Sequence, residues 1–435
     1  MTLRPDFDDQ LRAWADLGDD RLPGRFLDAA LIQIEASPQR GARPGWLRLP
    51  PVNRFAPIAF AATAVVIALL IGIGIFFRSP NVGPPQVPDP TASATGTAAS
   101  WTATSPMGHD HFAHTATLLS DGRVLVTGGG GDASVASSEL FDPDTGAWTA
   151  TGDMIAGRQL FTATLLEDGR VLVAGGVGEP DEVGLASAEL YDPSTGEWTA
   201  TQAMNEARAG HSATLLPDGR VLVAGGSNGT DRSASVELFD PRTGTWSATG
   251  NMGRERSFHA ASLLSDGRVL VAGSSGDFAD TAELYDPSSG TWAMTGSMSE
   301  GRTDVAAVLL PDGTVLVAGG AEAATAEVFD PEAGSWVTTG PMINVRHTHT
   351  ATLLSDGTVL VTGGDGGFDA ADELINLASV EVYHPDRGTW TAISDMLTPR
   401  RWHTATLLSD GTVLVAGGAD GASSSAEVFQ PDVGN

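Results

Sequence analysis

From Trp101 onward, apolar and polar positions recur in a fixed order. The order is easiest to follow from Met107, Met154, Met204, Met252, Met298, Met342 and Met396, which stand 44 to 54 residues apart. Each unit holds four short segments. The first, His-Thr-Ala-Thr-Leu-Leu at 403–408, alternates small residues, as a crowded strand requires. An Asp-Gly pair follows in every unit, from Asp121-Gly122 to Asp410-Gly411. Asp-Gly between apolar runs predicts a tight hairpin, because its turn needs positive φ. The second segment, Val-Leu-Val-Ala at 221–224, is apolar throughout, which predicts a strand covered on both faces. It ends in Gly225-Gly226, a pair that permits a sharp exit and close backbone approach. The third segment is Ala-Glu-Leu-Tyr-Asp-Pro at 188–193. The fourth carries Trp148, Trp198, Trp246, Trp292, Trp336 or Trp390, one per unit, as an inter-unit wedge would.

Repeats of this period predict radially arranged four-stranded blades. The double glycine, the aromatic before Asp-Pro and the tryptophan after the turn resemble the kelch family. The resemblance covers residues 101–435 and recurs seven times in register. It implies an all-β, seven-bladed kelch-type propeller. Three units depart from the pattern, with Gly273-Ser274, His384-Pro385 and Gln430-Pro431. The last unit stops where its tryptophan strand should begin, and Trp101-Thr-Ala-Thr-Ser-Pro-Met107 matches the missing piece. The N-terminal strand is therefore expected to complete the last blade and remove free sheet edges.

Residues 57–77 form an uncharged apolar run of 21 residues, long enough to cross a bilayer as a helix. Fifty-odd residues precede it, too many for an ordinary signal sequence. Arg40, Arg43, Arg48 and Arg54 stand before the run and only Arg78 closely after it. The positive-inside bias predicts a single-pass protein of the cell membrane, with its N-terminus cytoplasmic and its propeller extracytoplasmic. The expected organisation is a cytoplasmic segment at 1–54 with short helices, a transmembrane helix at 55–78, a Pro/Thr/Ser/Ala-rich stalk at 79–100 and the propeller at 101–435.

Net charge is −30, which disfavours nucleic acid as a partner and leaves basic or neutral ones. There is no cysteine, so disulfides, thiolate nucleophiles and cysteine-ligated zinc are excluded. All 24 basic residues are arginine, which excludes lysine Schiff-base chemistry.

Alternate connections in a meander lie on opposite faces. The Asp-Gly and Asp-Pro turns hardly vary. The connections after the double glycines vary widely, from 321–325 in blade 5 to 177–187 in blade 2 and 365–379 in blade 6. Recognition is expected on this variable face. Arg158, Arg208, Arg256, Arg302, Arg346 and Arg400 share one repeat position there, with His111 in blade 1. They either pair with the repeated glutamates Glu139, Glu189, Glu237, Glu283, Glu327, Glu381 and Glu427, or ring the channel mouth to hold an anion. The position before the repeated histidine carries Ala113, Leu160, Gly210, Phe258, Asp304, Thr348 and Trp402. These unlike residues are expected to line the mouth, with Phe258 and Trp402 as exposed aromatics for a sugar or peptide. The ligand-binding candidates are thus Trp402, Phe258, Asp304 and Thr348 with the six arginines and His111. The recurring histidines His114, His211, His259, His349 and His403 read as structural, and no metal or cofactor is expected.

The kelch resemblance also brings in galactose-oxidase-like enzymes acting on carbohydrate. Their copper radical site needs tyrosines, histidines and a cysteine bonded to a tyrosine. The chain lacks cysteine, and Tyr191, Tyr285 and Tyr383 all occupy the repeated aromatic position. The reading is therefore a binding module for a protein or glycan, not an enzyme, with such an oxidase as the alternative.

Overall fold

In blade 3, the strands Ser212–Leu215, Val221–Ala224, Val236–Asp240 and Thr245–Ala248 pair antiparallel in chain order, from the axis to the rim. Among the described residues the same four-stranded meander occurs seven times. The computed structural model describes residues 99–130, 135–178, 183–368, 374–419 and 421–432. Blades 1 to 6 span 115–150, 162–200, 212–248, 260–294, 306–338 and 350–392. Blade 7 takes three strands from 404–430 and its outer strand from Ser100–Ala103, with Trp101 opposite Phe429. The expected closure by the N-terminal strand is thus present. No helix occurs among the described residues, and none there is long and apolar enough to cross a membrane. The expected N-terminal helices, membrane span and most of the stalk lie outside the described residues.

The core lies between blades rather than within one sheet. In blade 2, Val171 and Val173 pack toward blade 1, against Leu119, Leu125 and Leu140. Leu172 and Ala174 pack the other way, against Val221, Val223 and Phe239 of blade 3. Alternate side chains of one strand thus serve two seams, which is why the second segment is apolar at every position. One methionine per blade, such as Met204, fills the seam beside them. The closing seam is built alike, with Met107, Val124 and Val126 of blade 1 against Leu408 and Leu414 of blade 7.

The tryptophans tie the rim. Trp198 lies against Tyr191 of its own blade, with ring centroids 5.0 Å apart. Its indole nitrogen donates to the Gly152 carbonyl, leading out of blade 1, at 2.8 Å. Trp101 repeats this in the closing blade, donating to the Ser394 carbonyl at 2.9 Å. The Asp-Gly turns adopt the expected geometry, with φ of 83° to 88° at Gly122, Gly169, Gly219, Gly267, Gly313, Gly357 and Gly411.

Candidate functional site

Two circles of backbone hydrogen bonds hold the variable face together. In the first, the residue after the leading glycine of each pair donates across the seam to the next blade. Gly176 N–H meets the Arg208 carbonyl at 2.8 Å, and Gly418 N–H closes the circle on the His111 carbonyl at 2.9 Å. This contact explains the paired glycines. A Cβ on Gly175 would lie 2.4 Å from the Arg208 carbonyl, and one on Gly176 would lie 2.7 Å from the Gln159 carbonyl. Blade 4 keeps the bond with Ser274, whose N–H reaches the Arg302 carbonyl at 3.0 Å.

The second circle, open between blades 5 and 6, runs through the seven unlike residues. Ala113, Leu160, Gly210, Phe258, Asp304, Thr348 and Trp402 all have φ between 50° and 59°. Left-handed backbone costs a non-glycine residue on the order of 1 kcal/mol, and most for β-branched Thr348. Hydrogen bonding offsets that cost. Leu160 N–H donates to Ala113 O, Gly210 to Leu160, Phe258 to Gly210 and Asp304 to Phe258, at 2.8 to 3.2 Å. Trp402 donates to Thr348 and Ala113 to Trp402 in the same sense. Because backbone alone makes the circle, the side chains are free to differ.

Those side chains converge on the mouth, but the aromatics are not the exposed platforms expected. Phe258 and Trp402 are each half-buried and meet edge to face at 6.1 Å between centroids. Phe112 meets Trp402 in the same way at 6.3 Å. The correction has a simple cause: residues from blades 1, 4 and 7 aim at one narrow axis and cover one another. The Trp402 indole nitrogen is itself buried without a partner. Asp304 keeps some exposed surface, yet desolvation and then the nearby Asp365 carboxyl push it up to about 7, against a hydrogen bond from Thr303. Desolvation likewise raises Asp365, opposed by His347, by a hydrogen bond from the Thr348 hydroxyl at 3.0 Å and by Arg401. Sequence reasoning missed Phe112 and Asp365. The signal for Asp365 was available: it follows a double glycine where the other blades carry no charge.

The arginine candidates stand elsewhere. Arg158, Arg208, Arg256, Arg302, Arg346 and Arg400 are 0–1% exposed, so the anion ring is corrected: no guanidinium is offered to a ligand. In blade 3, Arg208 Nη1 donates to the carbonyls of Gly225 and Ser235 at 2.6 and 3.1 Å. Its Nη2 reaches Ser235 Oγ at 2.9 Å and Glu237 Oε1 at 3.0 Å. Glu237 also accepts the Asn205 and Glu206 backbone N–H groups. The pair thus clasps both ends of the variable loop to the link that enters the blade. His111, fully buried, makes a shorter version, with Nδ1 2.7 Å from the Gly128 carbonyl and Nε2 3.4 Å from Glu139. Burial would raise Glu139, but hydrogen bonds from His111 and the Gly108 and His109 amides outweigh it and hold the carboxyl at about 2.

Four of the five recurring histidines, all but His349, bridge neighbouring inner strands. His211 Nε2 lies 3.0 Å from Thr162 Oγ1 of blade 2, His259 2.9 Å from Ser212 Oγ of blade 3, and His114 2.9 Å from Thr404 Oγ1 of blade 7. Burial, above all, lowers His211, His259 and His403 to about 3.

On the opposite face, a cleft of about 490 Å³ lies among the turns at Asp121, Asp168 and Asp192–Ser194. It holds only the repeated turn residues. Among the described residues no three histidine, aspartate or glutamate side chains are grouped to hold a metal.

The family assignment rests on the repeats themselves. Residues 113–320 match the model of the KLHDC2/KLHL20/DRC7 kelch-repeats domain, and residues 346–397 match the kelch motif. The chain is a kelch-repeat protein. Among curated proteins, none matches. Among solved structures, the kelch propeller is similar to a novel fungal alcohol oxidase of the AA5 family in complex with copper, at 19% identity and TM-score 0.64, over 77% of each chain. It is also similar to YjhT, at 17% identity and TM-score 0.52, over 66% of this chain and 99% of that one. At these identities the likeness is one of fold.

The residues of the kelch propeller do not fit a copper radical centre of the galactose-oxidase kind. The chain has no cysteine to modify a tyrosine. Tyr191, Tyr285 and Tyr383 are 0–3% exposed. Tyr191 and Tyr285 bond to the rim hydroxyls of Thr151 and Thr249 at 2.8 and 2.9 Å, away from the axis.

Proposed function

We propose that this kelch propeller is a membrane-anchored, extracytoplasmic binding module that recognises a protein or a carbohydrate on its variable face. One observation carries the reading. The circle at the mouth fixes seven backbones alike and gives them seven different side chains. A purely structural position in a repeat keeps one residue type, as the arginine and glutamate positions nearly do. Variation at equal geometry is what recognition on a rigid scaffold requires. The ligand would meet the Phe258–Trp402 pair and the Asp304 and Thr348 side chains. Aromatic faces beside polar groups suit a sugar ring or a peptide. The net charge of −30 favours a neutral or basic ligand.

The arginines and His111 enter this proposal as supports of the loops, not as ligand contacts. Oxidation of a carbohydrate alcohol is the competing reading, and it rests on the likeness of fold to the copper oxidase. The tyrosine placements and the lack of cysteine speak against it.

The test is a glycan array and a crosslinking pull-down with the full chain in mild detergent, repeated with Trp402→Ala and Phe258→Ala. Each substitution should weaken a captured ligand by about tenfold or more, as truncation of a central aromatic contact does. Because both rings are half-buried, folding is checked by melting. A ligand held equally by both folded variants would remove the mouth from the proposal.

A further inference from the structure

Three kinds of tie cross the seams near the axis: the mouth circle, the histidine–hydroxyl bridge and the double-glycine bond. They are not distributed evenly. At the seam between blades 1 and 2, Phe161 stands where a histidine would, leaving the Thr115 hydroxyl without a partner. The mouth circle persists there, with Leu160 N–H donating to Ala113 O at 3.2 Å. At the seam between blades 4 and 5 the bridge is replaced by the apolar Val305 and Ala260, and Asp304 N–H still donates to Phe258 O at 3.0 Å.

The seam between blades 5 and 6 lacks both ties. Blade 5 offers Ala306 where the other bridges have a hydroxyl, so His349 makes no hydroxyl bridge, and the Ala318 carbonyl of blade 5 alone acts on its ring, short of full hydrogen-bond geometry. The mouth circle is also interrupted there, since Thr348 N–H makes no bond to Asp304 O. Of the three ties the double-glycine bond alone remains, from Gly320 N–H to Arg346 O at 2.8 Å. Across this same seam the Asp365 carboxyl of blade 6, held by the Thr348 hydroxyl at 3.0 Å, raises the Asp304 carboxyl of blade 5.

We propose that the axial end of the seam between blades 5 and 6 is a proton-controlled opening of the ring, shut while Asp304 is protonated and loosened when Asp304 and Asp365 are both charged. Repulsion between two carboxylates matters most where few bonds oppose it. The groups facing the pair are Thr303 beside Asp304, and Thr348, His347 and Arg401 beside Asp365. His347 and Arg401 act on Asp365, which leaves Asp304 as the group without a cation against it. Burial, then the charges of Arg346 and His347, hold His349 at about 3 against the Ala318 carbonyl, so it stays neutral while Asp304 is pushed up to about 7. A mouth that loosens here would change shape at the two polar positions of the proposed binding face, Asp304 and Thr348.

The experiment is backbone hydrogen exchange on the full chain in mild detergent at pH 5.5 and 8.5, corrected for intrinsic rates. The reporter is the Gly320 amide, which crosses this seam, with the Gly176 amide across the seam between blades 2 and 3 as reference. Protection of Gly320 should fall by about tenfold between the two pH values while that of Gly176 holds, a local opening rather than a global one. Asp304→Asn, a neutral isostere that tolerates left-handed backbone, should abolish the fall. Ala306→Ser should give His349 a hydroxyl and raise Gly320 protection at both pH values. An equal fall in Asp304→Asn, or a fall shared by Gly320 and Gly176, would overturn the proposal.

Discussion

Arg346 and Glu381 form a fully buried ion pair, Nη2 to Oε1 at 2.9 Å, and neither side chain is exposed at all. Each partner also bonds to backbone at the base of the loop. The guanidinium caps the Gly363 and Ser379 carbonyls, and the carboxylate accepts the Ile343 and Asn344 amides. The variable loops therefore rise from clasps that are as buried as the core.

Breaking a clasp should cost stability before it touches recognition. Arg346→Ala leaves a buried carboxylate and two buried carbonyls without their cation. The expected loss is about 3–5 kcal/mol. Arg346→Lys should recover little, because one ammonium cannot reach carbonyls and carboxylate in the same fork. Chemical denaturation of both variants measures this. Wild-type stability in Arg346→Ala would mean that the clasp contributes nothing.

Closure by the N-terminal strand predicts a second loss. Deletion of 101–107 removes the outer strand of blade 7, the Trp101–Phe429 contact at 5.0 Å and Met107 from the closing seam. The edge of the strand Ala426–Gln430 is then uncovered. The truncated chain should melt well below the parent and aggregate through the exposed edge. Equal melting temperatures would show that the ring holds without its last strand.

The buried histidines predict acid sensitivity with a definite sign. His211, His259 and His403 fall to about 3 in the fold, chiefly by desolvation, from an ordinary value of 6.5. Between those values the unfolded chain binds more protons, so stability falls as pH drops below about 6.5 and keeps falling toward 3. Each histidine contributes a slope of at most about 1.4 kcal/mol per pH unit in that window. His211→Phe, the residue that blade 2 already carries at this position, should reduce the slope by about one such contribution. Denaturation curves from pH 4 to 8 give the comparison, and an unchanged slope would count against the buried neutral histidine. Asp304 works the other way: its raised value removes stability as pH climbs toward 7.

The membrane reading is tested by protease added to intact cells that produce the chain. Cleavage should remove the propeller and spare residues 1–54. A propeller protected until lysis would reverse the orientation.

The fold was legible because each unit repeats its own rules. Apolar residues on both faces of Val221–Ala224 announced a strand between two seams, and Trp101 announced the closing strand. The arginine and glutamate positions were visible as two recurring series, and pairing was one of their two readings. Burial decided between them, and burial depends on how deeply the loops sit, which no single repeat reveals. The left-handed circle was not legible. Its positions hold alanine, leucine, phenylalanine, aspartate, threonine and tryptophan, and only Gly210 hints at positive φ. Closing the ring imposes that conformation, not local preference. The covering of Trp402 by Phe258 was hidden for the same reason, since blades 4 and 7 are far apart in sequence and meet only at the axis.

The mouth circle has an electrical consequence. A peptide group carries a dipole of roughly 3.5 D, and six of the seven ring N–H groups, all but that of Thr348, donate in the same sense to the blade before. Dipoles laid head to tail around a circle nearly cancel, unlike those stacked along a helix or pointed down a carbonyl-lined pore. The six bonded groups therefore add little net field along the axis, and the break between blades 5 and 6 is the exception. The sign and strength of the potential at the mouth are left to a few side chains, and exchanging one of them can reset what the ring attracts without disturbing how it is built.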